Sequence, residues 1–144
     1  MANFISSGAD EVIRQLEQAD LFSDENASRL LDAGAELFVE NVRREMRAAP
    51  YRLGSLLEKV KRKGGKLRRD AQGRPYVTVT VNGTNKRGER NATVAFVLNY
   101  GRAEKYGRIE PAHYWTRAKQ TTAEQIPDAY AEVVRDIYQE RGLS

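Results

Sequence analysis

Apolar residues recur at three- and four-residue steps near both ends of the chain and switch to strict alternation in the middle. Between Ala9 and Ala19, Val12, Ile13 and Leu16 share one helical face, which predicts a short amphipathic helix. Asp20-Leu21-Phe22 ends it. Ser23 suits an N-cap, and Asp24 and Glu25 place negative charge at the positive end of the next helix. That helix is expected over Asp24 to Ala48, with Ala27, Leu30, Leu31, Gly34, Phe38, Val42 and Met46 as its buried stripe. Pro50 stops it, because the residue before a proline avoids the helical region. Gly34, on the buried face, would allow close backbone approach.

Leu53, Leu56, Leu57 and Val60 have helical spacing, so a short helix is expected there, running into a mobile basic segment punctuated by Gly64-Gly65 and Gln72-Gly73. Tyr76 to Val81 alternates: the valines share one face, and Tyr76, Thr78 and Thr80 the other, the mark of a half-buried strand. Val94-Ala95-Phe96-Val97-Leu98 is short, apolar and rich in β-formers, and Asn99-Tyr100-Gly101 breaks it. It is expected to return as the second strand of a hairpin, Tyr76–Tyr100, whose charged tip Asn82–Asn91 is longer than a tight turn needs. From Pro111 the pattern is helical, led by His113-Tyr114-Trp115. Trp115, Ala118, Thr122, Ile126, Tyr130, Val133, Val134 and Ile137 form its apolar face. Pro127 predicts a kink or two successive helices near Ile126, and Gly142 closes the segment. The expected fold is α+β, one domain over residues 1–144: a small antiparallel sheet with a long hairpin, packed against two to four helices.

Composition narrows the chemistry. The chain has 144 residues and no cysteine, which excludes disulfides and thiolate metal sites. No apolar run reaches membrane-spanning length and no signal-peptide pattern opens the chain, so a product made in a cytosol is expected. The 24 Lys and Arg against 20 Asp and Glu leave a net charge of only +4, but it is unevenly placed. Arg43 to Arg74 is strongly basic, opposed only by Glu45, Glu58 and Asp70, whereas acidic residues gather in the N-terminal third and the last helix. Such segregation suits nucleic acid or an acidic protein face, or else marks a solvated loop. The candidate partner or lumen contacts are Lys61, Arg62, Lys63, Lys66, Arg68 and Arg69 in the basic segment, and Lys86, Arg87 and Arg90 in the hairpin tip.

No catalytic constellation stands out. The single histidine, His113, lies at an aromatic helix entrance where packing or hydrogen bonding suits it better than catalysis. No ligand cluster, phosphate-binding loop or dinucleotide fingerprint is present, so no metal and no cofactor is expected. One enzymatic alternative survives. Lys105, Tyr106, Arg108, Glu110 and His113 are of the types an RNA-cleaving toxin would use for proton transfer and phosphate stabilisation. A plain nucleic-acid-binding module is the third possibility, with Tyr100, Tyr106, Tyr114 and Trp115 available for base stacking.

Two segments carry a resemblance. Phe96-Val97-Leu98-Asn99-Tyr100-Gly101 followed by Pro111-Ala112-His113-Tyr114-Trp115-Thr116-Arg117-Ala118, together with the upstream Ala49-Pro50-Tyr51-Arg52-Leu53-Gly54-Ser55-Leu56, resembles the Hong Kong 97 gene-product-ten-like family of phage neck and tail-completion proteins. Leu53 stands where that family usually has threonine. The resemblance implies a non-enzymatic virion component at the head–tail junction: a tail-completion, tail-terminator or neck protein. It implies a homo-oligomeric ring, commonly a hexamer, around the DNA channel, touching neighbouring neck and tail-tube proteins and passing double-stranded DNA without sequence specificity. In that reading Tyr100, Arg102, Tyr106 and Trp115 are the candidate subunit interface.

Overall fold

A computed structural model describes residues 3–4, 9–51, 54–64, 67–103, 105 and 107–142. The elements are β1 (Asn3–Phe4), α1 (Ala9–Gln18), α2 (Asp24–Ala48), α3 (Gly54–Leu57), β2 (Val60–Arg62), β3 (Arg68–Arg69), β4 (Pro75–Val81), α4 (Asn91–Tyr100) and α5 (Tyr114–Glu140). The fold is α+β, as the hydrophobic pattern predicts, with five helices among the described residues and a small antiparallel sheet centred on β4.

α1 and α2 follow the pattern closely. The Ser23 hydroxyl accepts a hydrogen bond from the Asn26 amide at 3.0 Å, capping α2. Every residue of the expected α2 stripe is buried, Gly34 included. Ala49, just ahead of Pro50, has already turned to extended backbone.

The hairpin lies earlier in the chain than expected. β2 pairs with β4 through Val60↔Val81, Lys61↔Thr80 and Arg62↔Val79, and β3 pairs with it through Arg68↔Tyr76 and Arg69↔Pro75. Within the basic segment expected to be mobile, Val60–Arg62 and Arg68–Arg69 are therefore paired strands. Asp70 makes the turn: its carboxylate Oδ1 accepts from the amides of Gln72 and Arg74, at 2.9 and 2.8 Å. Backbone pairing needs no apolar side chain, and Val60 alone supplies the inward anchor of β2. That is why a run of lysines and arginines hid a strand.

Val94–Leu98 is not a strand but the middle of α4, and no Tyr76–Tyr100 hairpin exists. Nor does the Asn82–Asn91 tip hang loose. Asn85 ties it, accepting from the amides of Arg87 and Glu89 with its side chain and from Gly88 with its carbonyl. The buried face of α4 is Asn91, Ala95 and Asn99, one residue per turn. Asn91 Nδ2 donates to the Asn82 carbonyl at 2.9 Å, fixing the helix start to the end of β4. Asn99 fixes the other end: its Oδ1 accepts from the Trp115 amide at 2.8 Å. His113, the residue before α5, caps nothing with its own side chain and sits in the left-handed region at φ 53°. Asn99 thus caps α5 from a neighbouring helix. The buried Tyr114 hydroxyl completes the clasp by donating to the Ala95 carbonyl at 2.5 Å, and burial pushes its phenol well above the usual range. Gly101 turns the chain out of α4 at φ +81°, where a Cβ would meet the Ile109 carbonyl at 2.7 Å.

α5 is one helix through Pro127, so the expected split into two helices does not occur. Pro127 lies on the solvent face, as does Ala123, the residue whose carbonyl a Pro127 N–H would otherwise reach. α5 runs antiparallel to α2. Arg117 meets Glu45 at 2.8 Å at one end, Arg29 meets Glu140 at 2.8 Å at the other, and buried Asn41 donates to Thr122 and Gln125 between them. Trp115 packs edge-on against Phe38 with ring centroids 4.9 Å apart, a contact of about 0.5–1.5 kcal/mol beyond its area. Val60, Val77, Val79 and Val81 bury the inner sheet face in the same core as Phe38, Val42 and Met46.

Replacing Asn99 by alanine removes the cap and strands the buried Trp115 amide. A loss of ~1–3 kcal/mol is expected in urea unfolding, with Asn99→Asp losing less because it keeps the acceptor. An Asn99→Ala protein as stable as the parent contradicts this assignment.

Candidate functional site

Three surfaces carry the chemistry. The first is the outward side of α4. Its fully buried side is taken by two amides and an alanine, Val94 and Leu98 are half-buried against the core, and Phe96 and Tyr100 turn outside. Phe96 and Tyr100 are 48% and 50% exposed, and their rings contact each other at a centroid distance of 4.7 Å. On the other flank of the helix, Val94, Val97 and Leu98 border a groove of ≈ 860 Å³ closed by Ile109, Arg102 and the Asn85–Glu89 tip. A helix that is apolar on nearly every side is ordinarily surrounded by protein.

The second surface is the outer face of the sheet. Strand alternation sends Val60, Val77, Val79 and Val81 inward, and Lys61, Lys63, Tyr76, Thr78 and Thr80 outward. Lys61, Lys63, Thr78 and Thr80 line a groove of ≈ 480 Å³ with Arg90 and Ala92, and no carboxylate is among its lining residues. Ala92, Phe96 and Tyr100 stand one turn apart on α4, so the apolar row of the first surface runs out of this basic groove.

The third surface is the solvent side of α5. Glu124, Asp128, Glu132, Asp136 and Glu140 follow at four-residue steps, all exposed. Ala123, Pro127 and Ala131 form a parallel apolar row beside them. Arg29 of α2 holds the Glu140 carboxyl below its ordinary range through their hydrogen bond. Like charges one turn apart weaken a helix on its own, so this stripe is not there for helix stability.

The basic candidates separate by partner. Arg62 is drawn back to Asp32 of α2, and Arg69 donates to Asp24 at 2.6 Å, so both brace the hairpin against α2. Lys61, Lys63, Arg68 and Arg90 are exposed, as are Lys86 and Arg87 on the tip. Lys66 lies outside the described residues, as does Tyr106. Arg43 closes part of the sheet edge by donating to the carbonyls of Leu57 and Val60 at 3.1 and 3.0 Å, so that edge is less open than a small sheet suggests.

Of the interface candidates, Tyr100 is exposed and Arg102 donates to the Gly107 carbonyl at 2.8 Å. Trp115 is only 2% exposed and is spent within the core, so its assignment to a subunit interface is corrected. Of the residues of the RNA-cleaving alternative, Arg108 and Glu110 pair with each other, and the exposed His113 donates its backbone amide to the Asn99 carbonyl. Phe96, the carboxylate row of α5 and the polar spine of α4 were missed from sequence. The four-residue spacing of the carboxylates was a readable signal; the outward turn of Phe96 was not. The two segments behind the family resemblance touch, through the Tyr51 hydroxyl and the Glu110 carbonyl at 2.5 Å. No family model, no curated protein and no solved structure matches the chain.

The Asp70 turn sets the hairpin that carries the basic face. Its carboxyl is held below the usual range, first by the Arg74 amide and then by the Gln72 amide. A depressed folded value means that the turn's support is present above the unfolded Asp value and is lost as pH falls through the folded one. In an NMR titration the Gln72 and Arg74 amides should therefore shift with a midpoint below about 3.9, the unperturbed Asp value. A midpoint at or above that value contradicts the hydrogen-bonded turn.

Proposed function

We propose that this chain is a structural subunit that assembles with copies of itself into a ring at the head–tail junction of a tailed phage, as a tail-completion, terminator or neck protein joining tail tube to head connector. The observation that carries the reading is α4, whose polar side faces the core and whose Phe96–Tyr100 side faces out. A paired aromatic exposure of that kind, on a helix clasped through Asn91 and Asn99, suits a surface that binds protein. The motif segments Ala49–Leu56 and Phe96–Ala118 support the phage placement. A hexameric ring, contacts to neck and tail-tube proteins, and passing double-stranded DNA follow from that resemblance. In this reading the protein does its work by shape and adhesion, without a catalysed reaction.

Sedimentation and negative-stain microscopy of the purified protein, alone and with its tail-tube partner, test the reading. Particles at multiples of 16.3 kDa with a central opening are expected. The double variant Phe96→Ser/Tyr100→Ser should keep its unfolding midpoint and weaken association by about tenfold or more, as loss of a central aromatic anchor does. A parent that remains a 16.3 kDa monomer under every condition, partner included, contradicts the proposal.

A further inference from the structure

We infer that the subunit contact is head-to-tail: the basic sheet face and the Ala92–Phe96–Tyr100 row of one copy receive the solvent side of α5 of the next. This inference rests on the self-assembly reading above and names its contact.

The two surfaces match in kind. One presents Lys61, Lys63 and Arg90 beside an apolar row of Ala92, Phe96 and Tyr100. The other presents Glu124, Asp128, Glu132 and Asp136 beside an apolar row of Ala123, Pro127 and Ala131. Each is a charged row flanked by an apolar one, and the signs are opposite. The lengths match as well: Arg90 to Tyr100 extends ~15 Å along α4, and Glu124 to Asp136 ~18 Å along α5, at the helical rise per residue.

The two surfaces also belong to different elements. α2 meets the sheet through Asp32 and Arg43, and meets α5 through Phe38, Asn41 and Glu45. The sheet valines and the buried residues of α5 pack into one core with α2. The outward lysines of the sheet and the exposed carboxylates of α5 therefore each turn away from that core. Different patches make a heterologous contact, which closes into a ring when the rotation per subunit allows it. An isologous dimer through either face alone would set like charges against each other.

Charge reversal tests this. Lys61→Glu/Lys63→Glu inverts the sheet face, and Glu124→Lys/Glu132→Lys inverts the α5 face; all four side chains are exposed, and unchanged thermal melts confirm folding. Each variant alone should associate about tenfold or more weakly than the parent, and the parent itself should weaken between about 0.05 and about 0.5 M salt. An equimolar mixture of the two variants should recover association, because each contact in the mixture again joins opposite signs. If either reversal variant does not fold, the neutral Lys61→Ala/Lys63→Ala serves, with a smaller loss expected. Reversal variants that associate like the parent, or a mixture that does not recover, overturn the inference. If they associate while Phe96→Ser/Tyr100→Ser does not, the ring reading survives and only the charged contact falls. A parent that never associates removes both. Duplex DNA bound by the parent and lost in Lys61→Glu/Lys63→Glu, with association unchanged, assigns the face to DNA and also overturns it.

Discussion

Two buried asparagine side chains decide how this molecule presents itself. Asn91 ties the first turn of α4 to the end of β4, and Asn99 ties its last turn to the first turn of α5. A buried amide that loses its partner costs more than most apolar contacts return, so the helix cannot roll to bury Phe96 and Tyr100 without orphaning both. Ala95 between them lets the Tyr114 hydroxyl reach the backbone. The outward aromatics are thus a consequence of inward hydrogen bonding, and the Phe96–Tyr100 side of α4 stays open.

That same clasp explains where the sequence misleads. α1, α2, β4 and α5 were legible because their apolar residues face the core with a clean period. In α4 the relation is inverted: the core-facing positions are Asn91, Ala95 and Asn99, and the apolar residues fall elsewhere. Without the tertiary partners of the two asparagines, Val94 to Leu98 reads as a buried strand ending at a glycine. β2 and β3 were hidden for the opposite reason, since an edge strand held by backbone pairing can carry lysine and arginine throughout. Trp115 was correctly placed on the apolar face of its helix, yet only the structure shows Phe38 filling the space beside it.

The candidate surface was half legible. The basic segment was visible as composition, but its division was not: Arg62 and Arg69 turn back to Asp32 and Asp24 of α2, while Lys61 and Lys63 point away. Strand alternation makes that division. It leaves a face of one sign on the sheet, and helix periodicity leaves a stripe of the other sign on α5, with α2 between them. Exposed charges of this kind add modest affinity and strong orientation, which is what the proposed contact between copies requires.

Amide hydrogen exchange of α4, measured across a concentration series from dilute to concentrated protein, with assembly followed by sedimentation, tests this account most directly. Exchange across Val94–Gly101 should slow on assembly while the core of α2 stays as it was, because a neighbour then covers the open side of the helix. Exchange in α4 that is unchanged between monomer and assembly would mean that the exposed aromatics are not the joint, and the account would fail.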